Sequence, residues 1–162
     1  MDRIKKYGDK VLRKKAVKVE SVDGSVLRIV KKMKAILKEE GGLGLAAPQV
    51  GISKRIFIAL NSDNDAVITA INPEIISREG MEIDFEGCLS FPEIFFSIER
   101  AGKVILRAVN ENGEKIIVEA EGLTARCLQH EMDHLDGKLI IDYATDGEKK
   151  ACKEKLEKLI KK

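Results

Sequence analysis

The chain has 162 residues, with 29 lysines and arginines against 27 aspartates and glutamates, for a net charge of +2. That balance gives no overall affinity for a polyanion such as DNA, and the length fits one domain with a terminal appendage. No apolar run approaches the length that crosses a bilayer.

Met1-Asp2-Arg3-Ile4-Lys5-Lys6 lacks the apolar run of a signal peptide. Three cysteines, an odd number without framework spacing, speak for a reducing compartment. A cytoplasmic protein without membrane contact is the expectation. Residues 1–20 read as extended, irregular chain rich in lysine. From Asp23 the pattern turns helical: Val26, Ile29, Val30, Met33, Ile36 and Leu37 fall on one face. Asp23 or Ser25 caps the start and Gly41-Gly42 ends a helix over 24–39. Strand patterns follow at Arg55–Leu60, Val67–Ile71, Glu74–Ser77, Met81–Asp84 and Phe91–Glu99, with a turn cluster at Asn61–Asp65. Lys103–Val109 and Glu114–Ala120 flank Asn112-Gly113, a hairpin signal. A helix from about Gly122 to Asp136 is closed by Gly137. Leu139–Tyr143 reads as a short strand, and a last helix spans about 147–161. The fold class is α+β: antiparallel sheets packed around a central metal-binding helix, with N-terminal and C-terminal helices. The expected division is residues 1–146 as one domain and 147–162 as a basic C-terminal helix packed on it.

Chemistry concentrates in His130-Glu131-Met132-Asp133-His134, an H-E-x-x-H pattern that holds both histidines of the chain. Residues four apart share one helical face, so two imidazoles can bind one metal ion, and Glu131 can act on a water as general base. A catalytic site needs a third protein ligand. The metzincin spacing fails, because position 140 is Ile. Glu148, Glu154 and Glu157 lie at thermolysin-like distances but sit among lysines. Upstream, Cys88 in Glu86-Gly87-Cys88-Leu89-Ser90 stands at a glycine-marked break, and a thiolate with two imidazoles suits Zn²⁺ or Fe²⁺. Cys127, three residues before His130, is a rival ligand that would otherwise line a pocket wall; Cys152 reads as core. Gly42-Leu43-Gly44-Leu45-Ala46-Ala47-Pro48-Gln49 leaves main-chain groups free to face a peptide. Gln49 could donate to a developing oxyanion. Glu86 and Arg100 could pair and orient Cys88.

G-x-G-x-A-A-x-Q at Gly42–Gln49, E-G-C-x-S at Glu86–Ser90 and H-E-x-x-H at His130–His134 closely resemble the three signature motifs of the bacterial peptide deformylases. Similarity runs from Gly8-Asp9 to Ile141-Asp142-Tyr143. The resemblance implies Cys88, His130 and His134 as ligands of Fe²⁺, with Zn²⁺, Ni²⁺ or Co²⁺ able to substitute. It implies Glu131 as acid/base, and Gln49 with the Leu89 backbone N–H as the oxyanion site. Gly42 and Gly44 would flank a loop that pairs with substrate, Leu43 would line the methionine pocket, and Gly87 and Cys127 join the substrate-binding set. The implied activity is removal of formyl from N-terminal formyl-methionine, and the implied partner is the ribosome, met through the basic C-terminal helix. Two positions depart from the family: Ile98-Glu99-Arg100 replaces Val-Pro-Arg, and Arg126 stands where some members have an apolar residue. A Glu-ligated zinc endopeptidase and a non-catalytic metal- or peptide-binding module are the alternatives.

Overall fold

The computed structural model describes residues 4–161. The readings of Met1, Asp2, Arg3 and Lys162 therefore lie outside the described residues.

Helix α1 spans Gly24–Glu40, capped by the Asp23 carboxylate accepting from the Ser25 and Val26 N–H groups and closed by Gly41 at φ 72°. Its stripe of Val26, Val30, Met33, Ile36 and Leu37 is buried; each such side chain contributes roughly 1.5–3 kcal/mol on leaving water. A short strand β1, Gly44–Ala46, and a 3₁₀ turn at Ala47–Val50 follow, where the sequence suggests only a loop. Strands β2 (Ile56–Leu60), β3 (Val67–Glu79), β6 (Lys103–Val109) and β7 (Lys115–Glu121) complete an antiparallel sheet ordered β1-β2-β3-β6-β7. The two segments expected at Val67–Ile71 and Glu74–Ser77 are one strand. Asn72 at φ 50° and Pro73, which has no N–H to donate, produce a bulge rather than a break.

The sheet is covered on both faces at β2, which is why that strand reads as an unbroken apolar run. Ile56 and Ile58 pack with α1. Phe57 and Ala59 point the other way, into a cluster with Ala125, Leu128 and Leu135 of helix α2, Gly122–Leu135. Strands β4 (Glu82–Cys88) and β5 (Phe91–Arg100) form a separate two-stranded sheet. Phe91, Ile94, Phe96 and Ile98 of its inner face pack with Leu12, Ile140, Ile141 and Leu156. Helix α2 is thus central, touching the large sheet on one side and bonded to the hairpin through Arg126 on the other.

Three further differences from the sequence reading have local causes. Lys10–Arg13 is a 3₁₀ turn capped by Asp9 rather than extended chain. Leu139–Tyr143 is not a strand: Ile140–Tyr143 forms a 3₁₀ turn. There the Asp142 carboxylate accepts from Leu139 N–H at 3.0 Å and binds Arg13. The last helix is broken at Cys152 into α3 (Asp146–Ala151) and α4 (Lys153–Ile160). No helix among the described residues is long and apolar enough to cross a membrane.

Candidate metal centre

Helix α2 brings His130 and His134 onto one face with ring centroids 5.0 Å apart. The β4 end brings Cys88 to them, with Sγ 3.3 Å from His134 Nε2. One ligand atom from each of Cys88, His130 and His134 lies within 4.8 Å of the others, the one such cluster of three among the described residues. Cys127 is outside it. Its buried thiol faces the Leu43 carbonyl at 3.5 Å, and burial raises its pKa well above the ordinary value. Glu148 accepts from the Ser97 and Thr145 N–H groups instead, and Glu154 and Glu157 are exposed on α4.

The donor set, a thiolate and two imidazoles, suits a borderline-soft divalent ion. Glu131 Oε1 and His134 Nδ1 are buried without a hydrogen-bond partner among the described residues, a costly arrangement in a site that stays empty. The cluster therefore fits a bound metal. Burial raises the Glu131 carboxyl to about 7, where a group can both take and return a proton near neutral pH. Gly44 is required by this carboxylate, since a Cβ there would meet Glu131 Oε2 at 2.6 Å and Cys127 Sγ at 2.8 Å.

Glu86 orients the site from behind. Its Oε1 accepts from His130 Nδ1 at 2.9 Å and Arg100 Nη2 at 2.9 Å; Oε2 accepts from Arg100 Nε at 2.8 Å and Arg126 Nη1 at 2.8 Å. Burial opposes its charge, yet bonds from Arg100 and His130 hold its carboxyl down at about 2. With Nδ1 so engaged, His130 has Nε2 left for a metal. The expected pairing of Glu86 with Arg100 is present, and β5 continues unbroken through Ile98 and Glu99 without the family's proline. Arg126 lines the cavity, but its guanidinium turns away from it to bond Glu86, the Ile98 carbonyl and the Glu82 carbonyl.

Gln49 is fixed in orientation. Ala46 N–H donates to Oε1 at 3.0 Å, so Nε2 points at Ser90 Oγ, 3.1 Å, and Cys88 Sγ, 3.5 Å. Ser90 in turn donates to the Lys5 carbonyl at 2.6 Å, while Lys5 and Tyr7 N–H groups donate to the carbonyls of Gln49 and Ser90. The N-terminal segment thus stitches the first motif to the second. The sequence reading did not assign this role to Ser90 and Lys5, nor find Asp133, which bonds Arg100 and Tyr143 at 2.6 Å each. Arg126 does carry a signal: positions 126, 130 and 134 share one helical face.

A cavity of about 530 Å³ opens over the cluster, lined among others by Gly42, Leu43, Gly44, Gln49, Gly87, Cys88, Leu89, Cys127, His130 and Glu131. Every substrate-binding residue suggested by the sequence is in that lining.

Comparison with known proteins accords with this geometry. A family model described as polypeptide deformylase matches residues 1–150. Peptide deformylase 1 of Clostridium acetobutylicum is 46% identical over 145 residues, covering 90% of this chain and 95% of that one. The crystal structure of peptide deformylase from Thermus thermophilus superimposes with a TM-score of 0.92 at 36% identity, over 99% of this chain and 98% of that one. A Plasmodium falciparum peptide deformylase in complex with inhibitor gives 0.88 at 39% identity, over 98% and 99%.

Proposed function

The chain belongs to the polypeptide deformylase family, and from that premise we propose which of its residues carry out the family's metal-dependent reaction. The protein removes the formyl group from the N-terminus of newly made polypeptides and releases formate. The convergence of Cys88, His130 and His134 beside the buried Glu131 supports the site assignment most directly.

In this assignment Cys88 Sγ, a ring nitrogen of His134 and His130 Nε2 would hold the metal, which we take to be Fe²⁺, with Zn²⁺, Ni²⁺ or Co²⁺ as substitutes. When bound, the ion supplies Lewis-acid chemistry, acidifying water and polarising the formyl oxygen. Glu131 takes a proton from the attacking water and returns one to the leaving amine. Gln49 Nε2, held by Ala46 and Ser90, donates to the developing oxyanion together with the Leu89 N–H. Gly42, Leu43, Gly44, Gly87 and Cys127 receive the methionine and its main chain. Glu86 keeps the His130 ring turned so that Nε2 faces inward. Formate release from a formyl-methionyl peptide tests the assignment, with acetate release from the acetyl-methionyl peptide as control; no formate, or acyl hydrolysis of both peptides at equal rates, contradicts it.

The protein acts in the cytoplasm on this reading. Residues 147–162 belong to the catalytic domain as a basic appendage, supported by Leu156 in the core and by Glu148 on Ser97 N–H. The exposed lysines Lys150, Lys153 and Lys158 would meet ribosomal RNA phosphates.

A further inference from the structure

Strand β7 lies at the edge of the large sheet opposite β1 and pairs with β6 alone. Its backbone polar groups are therefore engaged on one side only. Asn110 N–H donates to the Glu114 carbonyl at 2.9 Å and Gly122 N–H to the Gly102 carbonyl at 3.0 Å. Bonded pairs alternate along an antiparallel ladder, so Ile116, Val118 and Ala120, opposite Ala108, Leu106 and Val104, turn N–H and C=O toward β6. Lys115, Ile117 and Glu119 turn theirs outward, to no partner among the described residues.

Edge strands are ordinarily blunted by a proline, a bulge or a block of charge. Strand β7 has no proline, and its register with β6 runs from Val109↔Lys115 to Lys103↔Glu121 without a shift. Ile117 is 59% exposed. The charges on either side of it, Lys115 and Glu119, are exposed, opposite in sign and without an ion pair among the described residues. On the other face Ile116 and Val118 pack against the cluster of Leu106 and Leu128 but stay only partly buried. The core is thus open to water along this edge.

The pattern is complementary to itself. In an antiparallel pairing of two β7 strands about a two-fold axis at Ile117, Ile117 meets its own copy, Lys115 meets Glu119, and Ile116 meets Val118. Each outward N–H and C=O then finds a partner. Moving the axis to Val118 would set Ile117 against Glu119, moving it to Glu119 would oppose two carboxylates, and moving it to Ile116 would set Lys115 against Ile117. Like charges directly opposite are unfavourable and unlike ones favourable, so one register is selected. We propose that β7 is a self-association edge, through which a second copy of this chain joins the two sheets into one with Ile117 on the axis.

Sedimentation equilibrium of the metal-loaded enzyme over a concentration series should show a reversible monomer–dimer equilibrium, weak because one strand pair buries less than a standard interface. Lys115→Glu or Glu119→Lys sets like charges opposite each other twice per dimer and should weaken it by about tenfold. The double variant Lys115→Glu/Glu119→Lys recreates unlike pairs and should associate as wild type does. Ile117→Lys places two ammonium groups on the axis and should abolish the dimer. Circular dichroism verifies that each variant is folded. Hydrogen exchange reads the register independently: protection of the Lys115, Ile117 and Glu119 amides should rise with protein concentration, while that of Ile116 and Val118 should not. A wild-type chain that stays monomeric up to about 1 mM, or a dimer that the double charge swap fails to restore, overturns the proposal. Self-association that survives Ile117→Lys belongs to another surface, such as the exposed Met81 and Phe85, and overturns it equally.

Discussion

Arg100 and Glu86 are joined by two hydrogen bonds, Nε to Oε2 at 2.8 Å and Nη2 to Oε1 at 2.9 Å, with both side chains almost wholly out of water. Removing one partner of such a pair strands the other charge. Arg100→Ala should therefore destabilise by about 3–5 kcal/mol, nearer the lower figure because Arg126 still touches Glu86. Arg107→Ala, which breaks an exposed pair with Glu74, should cost no more than about 1 kcal/mol. Urea unfolding of both variants checks this; equal losses would show that burial of the Glu86 pair adds nothing.

Glu131→Ala should retain its metal while turnover falls by about 10²–10⁴-fold, since the carboxylate moves protons and lies outside the ligand cluster. Metal content and formate release are measured on the same preparation. Wild-type turnover in this variant would remove Glu131 from the mechanism.

Much of the site could be read from spacing, because H-E-x-x-H needs only helical geometry to bring two imidazoles together. The helix over 24–39 was equally legible, since Asp23, the apolar stripe and Gly41 all mark the same element. What spacing could not give was the company a residue keeps across the fold. Ser90 matters because a carbonyl 85 positions away, that of Lys5, accepts its hydroxyl. Arg126 looks like an intrusion into a pocket until its guanidinium is seen between β4 and β5. Leu139–Tyr143 has strand composition, but Asp142 folds back on Leu139 N–H, and local capping defeats β propensity.

Asp142 makes stability sensitive to acid. Partial burial works against its charge, but the Arg13 guanidinium and the Leu139 N–H hold its carboxyl below the ordinary range. A carboxylate depressed on folding contributes stability that is present above its unfolded pKa, about 3.9. That contribution disappears as pH falls through the folded value. Asp142→Asn should lower Tm by a few degrees at neutral pH and by less in high salt, because the pair is partly exposed. The difference from wild type should shrink towards zero in strong acid. A difference unchanged by acid would assign the loss to packing instead.

Deleting residues 147–162 is a poor test of ribosome docking, because Leu156 belongs to the core. Charge reversal of Lys150, Lys153 and Lys158, all exposed, leaves that packing intact. The triple glutamate variant should cosediment less with ribosomes, with a shallower salt dependence, while formate release from a short peptide is unchanged. Undiminished cosedimentation would count against docking.

The central claim is that Cys88 is the third metal ligand, and metal content per chain after exhaustive dialysis tests it directly. Cys88→Ser replaces a soft, readily ionised ligand with a hard hydroxyl, so retained metal should fall sharply. Cys127→Ser, whose thiol faces the Leu43 carbonyl, and Cys152→Ser, whose thiol faces the Glu148 carbonyl, should retain metal as wild type does. If Cys88→Ser holds its metal as well as wild type, the assigned ligand set is wrong.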